Sequence, residues 1–270
     1  MPFCMYPLVI SRDLSHIGGM FTDDVSRPLS RIALGGFLLA LLAGLALLLA
    51  GVSNRLHWLD FRPALTFFRW AAYGGAAAAV LSLVGMVVAR PGSARRGFSL
   101  ALLGLGMSLV ALIIPWQWWQ KVQRVPFIHD VTTDLENPPP FVAILPLRAN
   151  APNTAEYGGP EVAAQQRAGY PDLGPLTLQV PPVQAFSRAL AAAQDMEWEI
   201  VASEPTEGRI EAIATTFWFG FKDDVVVRVT PTNGGSRIDV RSVSRVGKSD
   251  VGTNAERIAA YFARIARDGG

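Results

Sequence analysis

The chain contains little cysteine or histidine, and this scarcity excludes several classes of site. Its 270 residues include one cysteine, Cys4, and three histidines. A single cysteine cannot form a disulfide within the chain, and the region after residue 120 has no thiol. His16, His57 and His129 stand far apart, so there is no metal-ligand spacing and we expect no metal site. The sequence has neither a phosphate-binding glycine loop nor a Gly-x-Ser-x-Gly nucleophile motif, and we expect no cofactor.

Lysine and acidic residues are scarce in the first 120 residues, which carry nine arginines, four acids and no lysine. The remaining residues carry 15 basic and 18 acidic side chains. A net acidic region of this kind is not a general polyanion binder. We therefore exclude nucleic acid as a partner.

Three long apolar runs occupy the first 120 residues, and the rest of the chain has none. They are Ile32–Val52, Trp70–Ala89 and Phe98–Trp119. Each is about 20 residues long, which is the length that a helix needs to cross the hydrocarbon core of a bilayer. The pattern predicts an integral membrane protein with one large soluble domain. Ionisable residues are missing from the middle of the runs, so we expect an anchor rather than a transport path.

The runs divide the chain into three regions. Residues 1–30 contain acids and lack the apolar segment of a signal peptide, so we expect a disordered N-terminus, with the natural start at Met1 or Met20 left open. Residues 31–120 form the predicted three-helix anchor. Residues 121–270 are enough for one independent domain.

Arginine placement gives the orientation of the anchor. Cytoplasmic loops of membrane proteins are enriched in basic residues. The short loop 90–97 contains Arg90, Arg95 and Arg96 and no acid, although basic residues over all the loops are nearly balanced between the two sides. We predict a bacterial inner-membrane protein with a cytoplasmic N-terminus and a periplasmic C-terminal domain.

Aromatic residues mark two expected membrane contacts. Trp116, Trp118 and Trp119 end the third run, as in an interfacial tryptophan belt. Phe219 and Phe221 flank a glycine where a hairpin should turn. Their rings either cap the domain core or contact lipid, and we retain both alternatives.

The soluble region predicts an α+β fold with two layers. Residues 123–179 are rich in proline and should be mostly extended segments and turns. A helix beginning near Pro182 precedes four antiparallel strands in a meander, and a last helix begins at Thr253 with capping-box spacing to Glu256. The predicted strands are Trp198–Ser203, Arg209–Trp218, Asp224–Thr232 and Ser236–Val246.

The pair Asn233–Gly234 predicts a type I′ hairpin between the last two strands. This turn places Arg228 opposite Asp239, whereas a turn one residue later would place it opposite Arg241. Like charges directly opposed are unfavourable, so the first register is preferred. One sheet face is then apolar and covered by the helices, and the other is charged and exposed.

The charged face supplies the candidate binding residues. Arginine pairs bidentately with carboxylate and phosphate, so this face is a candidate for an anionic head group or a glycan carboxylate. Cross-strand ion pairing with a solubilising role is the alternative. Asp223 and Asp224 are either carboxylates of a binding site or solvated acids that end a strand at a hairpin. His129–Asp130 is either an acid/base couple or a structural element. The full candidate set is His129, Asp130, Asp223, Asp224, Arg228, Asp239, Arg241 and Arg245.

Four segments in order resemble a known family. They are RVPFIHDVTTD, YPDLGPL, WFGFKDDVVVRV and DVRSVSRVGKSDVGTNAERI, and together they span almost all of the soluble region. The region is similar to the family called domain of unknown function 1499. The resemblance implies a domain boundary and, for bacterial members, short membrane segments in front of the domain. It implies no chemistry.

These features favour a non-catalytic domain that binds membrane lipid or another envelope component, including other envelope proteins. One rival is an envelope enzyme that uses His129, Asp130 and the arginine-rich face. The other is a structural subunit of a membrane complex. A pocket joining His129 to acids and arginines would favour the enzyme, and an apolar groove would favour lipid binding.

Overall fold

The structure, a computed structural model, describes residues 27–267. Predictions for residues 1–26 lie outside this range. The chain divides into two units. One consists of the residues up to Ala50 together with Phe61–Pro115, and the other consists of Gly51–Asp60 together with the chain from Trp116 onward. Residues Gly51–Asp60 therefore belong with the C-terminal domain.

Three long helices account for the apolar runs. They are α1 (Arg31–Arg55), α2 (Phe61–Val88) and α3 (Phe98–Arg124). Within residues 27–267, these three are long and apolar enough to cross a membrane. The prediction of three N-terminal apolar helices is confirmed, and they indicate a membrane protein.

Small residues let these helices approach closely. A Cβ atom on Gly36 of α1 would lie 2.8 Å from the Ser82 Oγ atom, and one on Gly104 of α3 would lie 2.7 Å from the same oxygen. Ser82 is fully buried between them. Helices in lipid associate through such close packing.

The C-terminal unit is built on an antiparallel sheet. The strands are β1 (Asp130–Thr132), β2 (Leu176–Leu178), β3 (Glu199–Glu204), β4 (Arg209–Thr215), β5 (Lys222–Thr232) and β6 (Gly235–Ser244). Their order in the sheet is β1-β6-β5-β4-β3, and β2 also pairs with β6. Strands β3 to β6 form the predicted meander.

Residues 123–179 contain more regular structure than the sequence indicates. They supply β1, β2, the 3₁₀ helix Leu145–Arg148 and helix α4 (Gly159–Gly169). The two strands have three residues each, too few for a visible alternation, and both are fixed by pairing with β6. Helix α4 has a weak apolar stripe and begins at a glycine and a proline, which read as a turn.

The hairpin register is confirmed. Arg228 lies opposite Asp239, and the two-residue turn Asn233–Gly234 joins the strands. Gly234 has a φ of +93°, a left-handed conformation that glycine adopts without strain.

Helices α5 (Pro182–Asp195) and α6 (Thr253–Arg267) cover the apolar sheet face, as predicted. Tyr261 on α6 is fully buried and donates a hydrogen bond to the Ala189 carbonyl oxygen at 2.7 Å. Its ring stacks on Trp198 at 4.8 Å between centroids. Because residues of both helices and of the sheet form one core, the predicted α+β architecture is confirmed.

The opposite sheet face is also buried, and the prediction of an exposed charged face is wrong. The segment that follows β1 lies over it. Phe141 and Ile144 of this segment pack against Ile213, Val226 and Val243 of the sheet. Charged side chains on this face are consequently removed from water and must find partners within the protein.

Candidate functional site

Asp130 and Arg241 form the centre of the buried charged face. The Arg241 guanidinium donates from Nε to Asp130 Oδ1 at 3.0 Å and from Nη2 to Oδ2 at 2.7 Å. Both side chains are about 95% buried, at 5% and 4% exposure. The Arg241 guanidinium also lies over the Phe141 and Tyr157 rings. Both oxygens of the Asp130 carboxylate are thus bound by one guanidinium.

Asp224 binds two arginines. Arg245 donates to both of its carboxylate oxygens, the shortest distance being 2.7 Å, and the Arg148 Nη1 atom lies 3.2 Å from Oδ2. Burial lowers the pKa of Arg148, an effect that the nearby Asp224 opposes. Sequence analysis missed Arg148 because it lies in the proline-rich segment, far from the strands that it joins.

Asp223 forms an ion pair with Arg257 of helix α6. Asp223 and Asp224 are 2% and 0% exposed, so the expectation of solvated acids at a hairpin end is wrong. Both lie within β5, which begins two residues earlier than predicted and pairs here with both neighbouring strands, and their carboxylates are bound by arginines from outside the strand.

Asp239 and Asp134 share two arginines. Arg228 and Arg237 each donate to Asp239 Oδ2, at 3.2 and 2.9 Å, and each lies within 3.2 Å of Asp134 Oδ2. Burial alone would raise the pKa of Asp134. Backbone N–H donation from Asn137 and Glu136 and the charges of Arg237 and Arg228 outweigh it and lower that pKa.

Glu211 holds in place the segment after β1 that lies over the charged face; this covering segment includes residues 141–144. Its carboxylate, fully buried, accepts the backbone N–H groups of Val142, Ala143 and Ile144 at 2.9 to 3.1 Å. It also pairs with Arg209. One buried side chain thus satisfies three successive backbone N–H groups.

The charged face therefore functions as an internal network. Each of its predicted arginines, Arg228, Arg241 and Arg245, binds a carboxylate of the protein itself. Removing one partner of such a pair leaves an uncompensated buried charge, which is strongly destabilising. The geometry favours the ion-pairing alternative over an open anion site.

The main chain of His129 and the side chain of Asp130 have separate partners. The His129 carbonyl oxygen accepts hydrogen bonds from the Ser244 N–H at 2.9 Å and from Asn254 Nδ2 at 3.1 Å. The adjacent Asp130 carboxylate is bound to Arg241. The backbone of His129 thus ties β6 to the start of α6, in agreement with the structural alternative.

The β4–β5 connection, Thr216–Phe221, has a different geometry from the one that its sequence indicates. Phe219 is only 2% exposed. Its ring lies 5.3 Å from the Phe221 ring and 6.0 Å from the Trp118 ring, and its carbonyl oxygen accepts a hydrogen bond from Asn54 Nδ2 at 2.6 Å. Phe219 is therefore part of the protein interior, and its selection as a lipid-contact residue is corrected in favour of the core-capping alternative.

Phe217 is the exposed ring of this connection, with 91% of its surface accessible. Arg55 Nη1 donates to the Phe217 carbonyl oxygen at 2.5 Å and to the Thr216 carbonyl oxygen at 3.1 Å. The Arg55 guanidinium lies 5.9 Å from the centre of the Phe217 ring. The sequence does not single out Phe217, because its alternation predicts a strand that runs to Trp218, whereas β4 ends at Thr215.

Three tryptophans of the same unit are also exposed. We define the exposed aromatic set as these tryptophans together with Phe217. Trp116 and Trp119 lie 5.2 Å apart between ring centroids, whereas Trp118 faces Phe219. The tryptophans and their exposed fractions are Trp58 (67%), Trp116 (57%) and Trp119 (55%).

Within residues 27–267, no three His, Cys, Asp or Glu side chains come together in a way that could hold a metal ion.

Comparison with known proteins gives a family but no activity. None of the curated proteins matches the chain. Among solved structures, the one titled "Crystal structure of Ara h 8.0201" is similar, with 15% sequence identity, 34% of this chain and 95% of that chain covered, and a TM-score of 0.21. A likeness at that score carries no argument about function.

The family model described as "Protein of unknown function (DUF1499)" matches residues 130–265. The match runs from β1 through helix α6 and so includes the whole charged network and the β4–β5 connection. The chain belongs to this family of unknown function, DUF1499, and carries its domain behind three candidate membrane-spanning helices.

Proposed function

We propose that this protein is a non-catalytic membrane protein whose C-terminal domain binds lipid at the bilayer surface. Phe217 carries the proposal. An almost fully exposed phenylalanine is costly in water, and burying one ring in an apolar medium contributes about 1.5–3 kcal/mol. The observation is specific because the neighbouring Phe219 is buried while Phe217 is held outward by its backbone bonds to Arg55.

The position of Arg55 supports a lipid contact. Arg55 is the last residue of α1, a candidate membrane-spanning helix, so it belongs at the boundary between hydrocarbon and water. Trp58 follows it by three residues, and Trp116 and Trp119 lie near the end of α3. Tryptophan is enriched at this boundary because its ring is apolar and its N–H is polar. The exposed aromatic set therefore suits an interfacial position.

The enzyme alternative has less support. Asp130 and Arg241 are bonded to each other and buried, and the other candidate acids and arginines are likewise engaged in ion pairs within the protein. A catalytic base must be within hydrogen-bond reach of the proton that it removes.

For localisation, we propose that loop 90–97 is cytoplasmic and that the domain lies in the periplasm, with the helices in a bacterial inner membrane.

Site-specific photocrosslinking tests the lipid contact. A photoreactive benzophenone side chain replaces Phe217 in the full chain, reconstituted in nanodiscs that contain neutral and anionic phospholipids. Irradiation should give adducts with the mass of one phospholipid. Their distribution between neutral and anionic lipid reports head-group preference.

Val183 provides a matched control. It is apolar, 80% exposed, and located on helix α5 of the same domain. The same side chain at Val183 should yield no lipid adduct. Equal lipid adducts at both positions, or none at Phe217, would contradict the proposal.

A further inference from the structure

A second surface of the domain, separate from the lipid contact, is an open sheet edge. Within residues 27–267, strand β3 (Glu199–Glu204) pairs with β4 alone, so its other side presents backbone N–H and C=O groups that no described strand pairs. An exposed edge of this kind is a template for another strand. A bulge at Val201 interrupts regular pairing, so an added strand would run mainly along Ala202–Glu204.

An apolar groove of about 360 Å³ lies beside the same end of β3, between the strand and helix α5. Val183 in this groove is 80% exposed. Pockets of this kind fix side chains of an extended peptide while the strand edge binds its backbone. The groove is lined mainly by Val183, Phe186, Leu190, Ala191, Ser203 and Pro205.

Charge around the edge selects the type of partner. Glu197, Glu199 and Glu204 are all exposed, and none forms an ion pair with any residue in the described range 27–267. Two further exposed acids, Asp195 and Glu207, have partners in Arg264 and Arg209. The edge therefore has an excess of negative charge that a cationic strand would neutralise.

A second copy of the chain fits this edge poorly. In a symmetric antiparallel pairing centred on β3, Glu199 of one copy would face Glu204 of the other. Directly opposed like charges are unfavourable, so the acids disfavour self-pairing. The same acids would favour lysine or arginine on a partner.

We infer that β3 and its groove bind an extended segment of another protein in which lysine or arginine alternates with apolar residues. The partner adds a strand along Ala202–Glu204, places an apolar side chain in the groove and sets its basic side chains against Glu199 and Glu204. This inference does not rest on the lipid contact, because it uses a different surface.

Titration with a synthetic peptide tests the inference. The probe is a short, fluorescently labelled peptide of alternating lysine and valine, and the protein is the full chain in nanodiscs of neutral phospholipid, to which a cationic probe has little affinity. Fluorescence anisotropy should show saturable binding. Glu199→Lys/Glu204→Lys should weaken binding about tenfold or more, because two attractive contacts become repulsive.

Two controls separate strand addition from general attraction. Glu136→Lys/Glu161→Lys changes the net charge equally at exposed positions away from the edge and should leave affinity nearly unchanged. A peptide N-methylated at alternate residues keeps its charge but loses backbone donors, and it should bind about tenfold more weakly.

Several results would overturn the inference. They are absence of binding, equal loss in both charge-reversal variants, or unchanged affinity for the N-methylated peptide. Saturable binding of a fluorescent fatty acid in the groove, with no binding of the peptide, would overturn it and identify an acyl chain as the occupant. A lipid adduct at Phe217 would be unaffected by any of these outcomes.

Discussion

Replacing Glu211 with glutamine should destabilise the domain severely, because this carboxylate is the acceptor for the covering segment. Its Oε1 and Oε2 atoms together accept N–H groups from Val142, Ala143 and Ile144, and Oε1 also binds Arg209. Glutamine replaces one acceptor oxygen with an NH₂ donor directed at those N–H groups. The negative charge that balances Arg209 is lost as well.

The magnitude follows from the bonds removed. Loss of one oxygen removes about two hydrogen bonds to a charged group, each contributing roughly 1.5–3 kcal/mol. We expect the free energy of unfolding to fall by about 3–6 kcal/mol. For a domain of this size, 1 kcal/mol lowers the melting temperature by about 2–4 °C, so the expected decrease is roughly 6–24 °C.

Glu207 offers a matched control for this variant. It also pairs with Arg209, at 2.9 Å, but its side chain is 60% exposed. Exposed ion pairs contribute about 0–1 kcal/mol, so Glu207→Gln should change the melting temperature by only a few degrees. The assay is thermal unfolding of the full chain in detergent, followed by near-ultraviolet circular dichroism. Equal small effects in the two variants would refute the view that the charged face is a structural network.

Two further predictions concern pH and the β4–β5 connection. The pKa of Asp134 is lowered in the folded state from its usual 3.8, so its contribution to stability is present above that value and is lost as pH falls through the folded pKa. Asp134→Asn should therefore be less stable than wild type near neutral pH. In acid titrations of unfolding, the stabilities of the two proteins should converge below about pH 3.8. A Cβ atom on Gly51 would lie 2.1 Å from the Trp218 ring, so Gly51→Ala should lower the free energy of unfolding by about 1–3 kcal/mol in thermal unfolding. On the same helix, a Cβ atom on Gly44 would have its nearest neighbour at 4.0 Å, so Gly44→Ala should cost little or nothing. Similar losses in both variants would contradict the packing described.

The sequence predicts the meander and its register well, because the signals there are local. Alternation of apolar residues, the pair Asn233–Gly234 and the unfavourable opposition of Arg228 to Arg241 are enough to align β5 with β6. The three membrane-length helices are equally evident, because a run of about 20 apolar residues has few alternatives.

Burial of the charged face was not predictable, because the covering segment has no periodic pattern. Charged residues that alternate along a strand normally indicate a face exposed to solvent. The residue that indicates burial instead is Arg148, a cation that lies 76 positions before its partner Asp224 in the sequence. The prediction for the β4–β5 connection was wrong for a related reason. Which of Phe217 and Phe219 faces outward depends on where β4 ends and on Asn54 and Arg55, which are more than 160 residues away in the chain.

The most direct test of the account is the environment of residue 217 in a bilayer. Cys4→Ser removes the only cysteine, and single cysteines at Phe217, Thr206 and Leu103 then carry spin labels in the nanodisc-bound full chain. Leu103 is exposed in the first third of α3, within its apolar run, and serves as the lipid reference, while Thr206 lies in the β3–β4 turn and serves as the water reference. The account predicts that relaxation of the label at 217, like that at Leu103, is enhanced by oxygen more than by a water-soluble nickel complex. A label at 217 that responds like the one at Thr206 would contradict it.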